Sequence, residues 1–157
     1  MMTTQRLGQR ATRIVYFEDL TPYSYGRSTP AENVLNVGWL SLGQPFTTGS
    51  TSERFVAELA VLAADPVDIT RGIHLCEFCP PPPRTLTPAG LPMIDPIDGT
   101  FGNGEIRVTS GEVTYVAPVL ILHYVVAHRY LPPTEFVRAV EQRDRWPNKS
   151  LEPTRDR

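Results

Sequence analysis

Residues 105–128 read EIRVTSGEVTYVAPVLILHYVVAH, and this stretch decides the fold class. Two runs rich in β-branched residues, 105–109 and 112–116, flank Ser110-Gly111. This pattern predicts two antiparallel strands joined by a two-residue turn. Residues 119–128 are then apolar nearly all round, which predicts a helix buried at the centre of the core. A hairpin followed directly by a buried helix indicates a mixed α+β protein.

Two more helices are predicted on either side of this stretch. Ser50-Thr51-Ser52-Glu53 has the spacing of a capping box, in which Ser50 accepts from the amide three residues on and Glu53 reaches back to the cap. The helix that starts there has apolar residues at intervals of three to four and ends at Asp65-Pro66. Residues 134–143 predict a last, short amphipathic helix.

Three additional strands are predicted, at residues 12–17, 34–42 and 68–75. The whole is therefore an α+β fold with a small mixed or antiparallel sheet of about five strands, packed with about three helices. Residues 19–30 form a turn-rich aromatic loop. The composition of residues 84–104, rich in Pro, Gly, Asp and Asn, predicts a long loop.

Length and composition favour a single domain. The chain has 157 residues, 41% of them hydrophobic, which is enough to bury a core without disulfides. We expect a flexible arm at residues 1–11, one α+β domain at 12–143 and a disordered tail at 144–157. The 16 prolines, four of them consecutive at 80–83, predict long irregular connections.

Charge and hydropathy exclude two classes of function. Fifteen basic and 17 acidic side chains give a net charge of −2 without a pole of one sign, which argues against a nucleic-acid-binding protein. Residues 115–127, the longest apolar candidate, are too short and too interrupted for a membrane helix. The N-terminus has no apolar core that would indicate a secretory signal, so we expect a cytoplasmic protein with reduced cysteines.

The two cysteines and two of the three histidines have the spacing of a metal site. Cys76 and Cys79 are two residues apart, as in a knuckle that brings two thiolates to one metal, and His123 and His128 add two imidazoles. This set predicts a tetrahedral zinc site of the Cys2His2 type. Positions five apart on an ideal helix point about 140° away from each other, so both histidines can bind only if the helix ends or tightens before His128.

Several alternatives remain open for these residues. His74 is a rival ligand, because strand alternation would place it on the same face as Cys76, and a three-ligand site with an open position would allow hydrolysis. Such a metal- or thiol-dependent hydrolase would use a nearby acid such as Glu77, Asp95 or Asp98. The cysteines can also be plain packing residues in a metal-free structural domain.

Three segments carry a resemblance: YFEDLTPY from Tyr16, GIHLCEFC from Gly72, and the stretch from Val116 through His123 and His128 to PTEF. Together they resemble an uncharacterised family of small bacterial proteins over about residues 14–141, with an HxCxxC and an HxxxxH motif. The tail PNKSLEPTR from Pro147 is similar to the ends of integron gene-cassette products, which implies an accessory role.

The hypothesis that best joins these observations is a zinc-stabilised, non-enzymatic binding module. Zinc held by Cys76, Cys79, His123 and either His128 or His74 would pin the proline loop to the buried helix. The expected partner is a protein, in a stress-response or immunity-like role. The sequence leaves the oligomeric state open.

Overall fold

The structure is a computed structural model that describes residues 15–25, 31–69, 74–80, 85–86, 88–89, 92–93 and 101–143. Eleven elements follow in chain order: β1 (Pro22–Tyr23), β2 (Ala31–Asn36), α1 (Glu53–Ala64), β3 (His74–Leu75), β4 (Thr85–Leu86), β5 (Pro92–Met93), β6 (Phe101–Gly102), β7 (Glu105–Ser110), β8 (Val113–Pro118), α2 (Ile121–His128) and α3 (Thr134–Gln142). The predicted α+β class is confirmed.

The main sheet has four strands in the order β1-β2-β8-β7. It is mixed, because β2 runs parallel to β8 while the two outer pairs are antiparallel. The β7–β8 hairpin is confirmed, although its turn lies one residue later than predicted, at 111–112, with Ser110 opposite Val113. Gly111 takes φ +61°, a conformation that glycine adopts most readily.

The three helices cover one face of this sheet. α1 contacts both α2 and α3, and α1 and α3 also contact β7. Their apolar side chains meet those of the sheet in one core, whose fully buried members include Phe55, Leu59, Ile106, Ile121 and Phe136. The cap of α1 lies two residues later than predicted. The side chain that accepts from the Phe55 amide, at 3.0 Å, is the Oγ of Ser52 and not that of Ser50.

The other face carries a smaller aromatic cluster and a buried ion pair. Tyr23, Trp39 and Val116 are buried together there, and the indole Nε1–H of Trp39 donates to the carbonyl of Val116 at 3.0 Å. Glu105 is buried, and accepts from the Tyr23 hydroxyl at 2.5 Å and from Arg107 at 3.0 Å. These bonds compensate the desolvation of the carboxylate.

Three of the predicted strands differ from those observed. Residues 15–17 are not a strand, and residues 12–14 lie outside the described part. The strand predicted at 34–42 is observed at Ala31–Asn36, so it begins and ends earlier than predicted. It ends before Gly38, where φ is +72° and the chain turns. Of 68–75, only His74–Leu75 is a strand, with Asp68 at φ +48° and 70–73 outside the described residues.

Two further predictions concern the burial of α2 and the ends of the chain. α2 is not buried all round, since Val126 is 63% exposed. The predicted arm at 1–11 and tail at 144–157 lie outside the described residues. Among the helices that are described, none is both long and apolar enough to cross a membrane.

Candidate metal centre

The two cysteines lie on a tight turn directly after β3. Cys76 is 7% exposed, and its Sγ accepts hydrogen bonds from the backbone amides of Phe78 and Cys79. This is the geometry in which a Cys-x-x-Cys turn presents two sulfur atoms to one point. Burial raises the pKa of the Cys76 thiol, while the two amide donors act in the opposite direction.

The turn is fixed to the rest of the protein through Glu77, one of the two residues between the cysteines. The Glu77 carboxylate accepts from the Ser41 hydroxyl at 2.9 Å and from the Leu42 amide at 2.7 Å. Its acid group is therefore engaged with the 41–42 loop. The sequence predicts Glu77 only as the acid of a hydrolase, and this positioning role is a finding of the structure.

The two histidines come from α2. The helix ends at His128 itself, where Arg129 takes a left-handed conformation with φ 54°. The amide of Tyr130 then bonds to the carbonyl of Tyr124 at 3.0 Å, and the amide of Leu131 to the carbonyl of Thr47 at 2.8 Å. The termination at His128, not before it, is enough for both imidazoles to reach one point.

The four side chains converge on that point. The Nε2 atom of His128 lies 3.3 Å from the Sγ atoms of both Cys76 and Cys79 and 3.2 Å from Nε2 of His123. Cys79 Sγ is also 3.3 Å from His123 Nε2. All four ligand atoms lie within 4.8 Å of one another.

Four of the six separations are close to those expected between the ligands of one zinc ion. Zn–S bonds of about 2.3 Å and Zn–N bonds of about 2.0 Å place N and S about 3.5 Å apart, and N and N about 3.3 Å apart. Hydrogen bonding alone does not explain the arrangement, because the Nε2 of a neutral imidazole has one donor or one acceptor site and here has three close partners. The four side chains lie close enough together to hold a metal ion.

Aromatic side chains pack around the centre, and Cys76 is itself part of the hydrophobic core. The centroid of the Phe78 ring lies 5.3 Å from that of His128 and 5.8 Å from that of Tyr124. The centroids of Phe78 and Phe46 are 5.4 Å apart. Burial, and then the neighbouring His128, lower the pKa of His123, which favours the neutral imidazole that a metal requires. Phe78 and Phe46 were not predicted as part of the site, although an aromatic residue inside the Cys-x-x-Cys turn was a visible signal.

The remaining candidates lie elsewhere. His74 is not part of the four-residue group; its side chain is half-buried and lines a separate pocket together with Trp39 and Leu120. Asp95 and Asp98 fall outside the described residues. In the part of the chain that the structure describes, the Cys76, Cys79, His123 and His128 group is the one set of three or more Cys, His, Asp or Glu side chains close enough for a metal.

Comparison with known proteins identifies a family but no activity. Residues 15–141 match the model of a domain of unknown function, DUF7919. The match covers the sheet, the three helices and all four residues of the group. No curated protein and no solved structure matches the chain.

Proposed function

We propose that this chain, which belongs to the DUF7919 family of domains of unknown function, is a zinc-stabilised, non-enzymatic binding module. The observation that carries the proposal is the convergence of two Sγ and two Nε2 atoms within 4.8 Å of one another, with four of the six separations at 3.2–3.3 Å. The zinc would join the turn after β3 to the end of α2.

The chemistry of the ligand set supports zinc over other metals. Two thiolates with two imidazoles in a tetrahedron are typical of zinc, whereas magnesium and calcium require oxygen ligands. No carboxylate belongs to the group. Reduced thiols are needed for binding, which fits a protein of a reducing compartment.

A complete ligand set also favours a structural role over hydrolysis. Catalytic zinc sites hold the metal with three protein ligands and keep the fourth position for water or substrate. Here four protein ligands would fill a tetrahedron, and the Glu77 carboxylate is bound to Ser41 and Leu42. We propose that the module acts by binding a protein partner, in an accessory role.

Metal analysis tests the proposal directly. Untagged protein, washed with chelator, is measured by inductively coupled plasma mass spectrometry alongside Cys79→Ser and His128→Ala, with His74→Ala as the matched control. We expect about one zinc per chain in the wild type and in His74→Ala, and its loss in the other two. Less than about a tenth of an equivalent in the wild type would refute zinc binding, and loss in His74→Ala would refute the ligand assignment.

Cobalt substitution separates the closed site from a catalytic one. We expect the visible absorption bands of tetrahedral cobalt with thiolate ligands, unchanged when azide is added. A spectrum that shifts with azide would show an exchangeable position. The non-enzymatic proposal would then be wrong while the zinc site stood.

A further inference from the structure

A second candidate site lies on the far side of Phe46 from the metal centre. It is a cleft of about 230 Å³ between residues 16–19 and residues 40–47. Leu40 is buried at its floor, and its half-buried walls are Tyr16, Phe17, Asp19 and Phe46. The remaining lining residues, Glu18, Pro45 and Thr47, are exposed at its rim. None of the four metal-ligating candidates lines it.

The described side chains that line this cleft carry charge of one sign. Among the described residues that line it are two carboxylates, from Glu18 and Asp19, and no Lys, Arg or His. Neither carboxylate takes part in an ion pair among the described residues, where the acidic partners are Glu58, Asp68 and Glu105. The cleft is therefore complementary to a cation.

Asp19 is held in place but has capacity for a ligand. Its Oδ1 accepts from the Gly38 amide at 2.8 Å and its Oδ2 from the Tyr130 hydroxyl at 2.7 Å. An ionised carboxylate offers about four acceptor positions, so two of them remain. Burial raises the pKa of Asp19, as expected for a carboxylate without a counter-ion.

The other walls are aromatic. Tyr16, Phe17 and Phe46 line the cleft, and aromatic side chains offer apolar surface to the body of a ligand and attract a cation at a ring face. We propose that the cleft binds a small organic ammonium ion, with its charged group beside Asp19 and Glu18 and its apolar part between the aromatic rings. This site is distinct from the metal centre and does not depend on the proposed function.

The two sites nevertheless share a wall. The ring centroid of Phe46 lies 5.4 Å from that of Phe78 and 6.1 Å from that of Tyr130. The centroid of Phe78 in turn lies 5.3 Å from that of His128. A metal that fixes the turn after β3 would thus also fix one side of the cleft. Binding at the cleft is best measured with the protein as purified and again after chelation.

The test uses three probes of one shape. The ammonium probe is 2-phenylethylamine, the neutral probe is 2-phenylethanol and the anionic probe is 3-phenylpropionate. Each is titrated into ¹⁵N-labelled protein, with the Gly38 amide resonance as reporter because that amide donates to Asp19. We expect the ammonium probe to bind about tenfold more tightly than the alcohol, and the anion most weakly.

Variants assign the effect to the cleft. Asp19→Asn should remove the preference for the ammonium probe, and Glu18→Gln, an exposed change that spares the fold, should reduce it severalfold. Glu112→Gln, at the exposed hairpin turn, is the matched control and should change nothing. Equal affinity for the ammonium and the alcohol in the wild type, or an unchanged preference in Glu18→Gln and Asp19→Asn, would overturn the proposal.

Zinc content keeps the two proposals apart. Protein that holds no zinc but prefers the ammonium probe would refute the metal proposal alone. Protein that holds one zinc and binds all three probes equally, or none, would refute the cleft proposal alone.

Discussion

The stability of the fold should depend on the free zinc concentration in a way that the ligand geometry sets. Cys79 and His123, in contact in the folded state, are 44 positions apart in the chain. An unfolded chain therefore keeps only the local Cys-x-x-Cys pair as a weak binding site. A ligand that binds the native state in preference stabilises it by RT ln(1 + [L]/Kd), which is about 1.4 kcal/mol for each tenfold increase above Kd and about 4 kcal/mol at a thousandfold excess.

The corresponding change in melting temperature is large enough to measure. A protein of this size shifts by about 4 °C per kcal/mol, so we expect a rise of about 15 °C across three decades of free zinc. The assay is thermal unfolding followed by circular dichroism in zinc-buffered solutions, for the wild type, Cys79→Ser and His74→Ala. Wild type and His74→Ala should rise in parallel while Cys79→Ser stays flat. A wild-type melting temperature that ignores zinc, or an equal rise in Cys79→Ser, would refute the reasoning.

Three smaller predictions concern stability, each measured by urea denaturation. Gly38→Ala should destabilise the fold by about 2–4 kcal/mol, because φ is +72° and the new Cβ would lie 2.8 Å from the buried Ile121 side chain of α2. Gly43→Ala, at φ +86° with nothing within 4 Å of the new Cβ, should cost only about 1 kcal/mol. Equal costs for the two substitutions would contradict the role of packing at Gly38. Ser52→Ala should cost about 1 kcal/mol as the loss of a helix cap, whereas a cost at Ser50 instead would restore the cap predicted from the sequence. Tyr130→Phe should cost about 1–2 kcal/mol through the lost hydrogen bond to the acidic side chain of the cleft, and a neutral result would show that this bond contributes nothing net.

Local patterns explain which parts of the fold were predictable. The hairpin, α1 and α3 were predicted because a turn glycine and regular apolar spacing act within a few residues. The two-residue strands β1, β3 and β6 have no such pattern; each exists because a distant segment pairs with it, as His74 does with Gly102. The cap was misplaced because Ser50 and Ser52 both offer a hydroxyl near Glu53, and only packing of the helix decides between them.

The four-residue Cys/His group was predicted more fully than the sheet. The Cys-x-x-Cys spacing named two members, and the histidine pair named the others. The 140° separation on the helix overstated the difficulty, because both rings use the distal Nε2 atom and the helix stops at His128. The choice between His128 and His74 needed the three-dimensional path of residues 74–80, which no local pattern encodes. The cleft could not be predicted, since its walls come from segments about 25 residues apart.

The parallel pairing of β2 with β8 has a consequence for the order in which the chain folds. It joins Val34 to Thr114, 80 positions apart, whereas the hairpin and α2 are local. A metal bridge from Cys79 to His123 would give a shorter path between the paired strands, with 45 positions from Val34 to Cys79 and nine from His123 back to Thr114. The loop that must close is then about 55 positions long and not 80. The closure entropy changes by only about 0.3 kcal/mol, less than a factor of two in rate. Zinc should thus leave refolding almost as slow as the topology makes it, and act by slowing the escape from the native state.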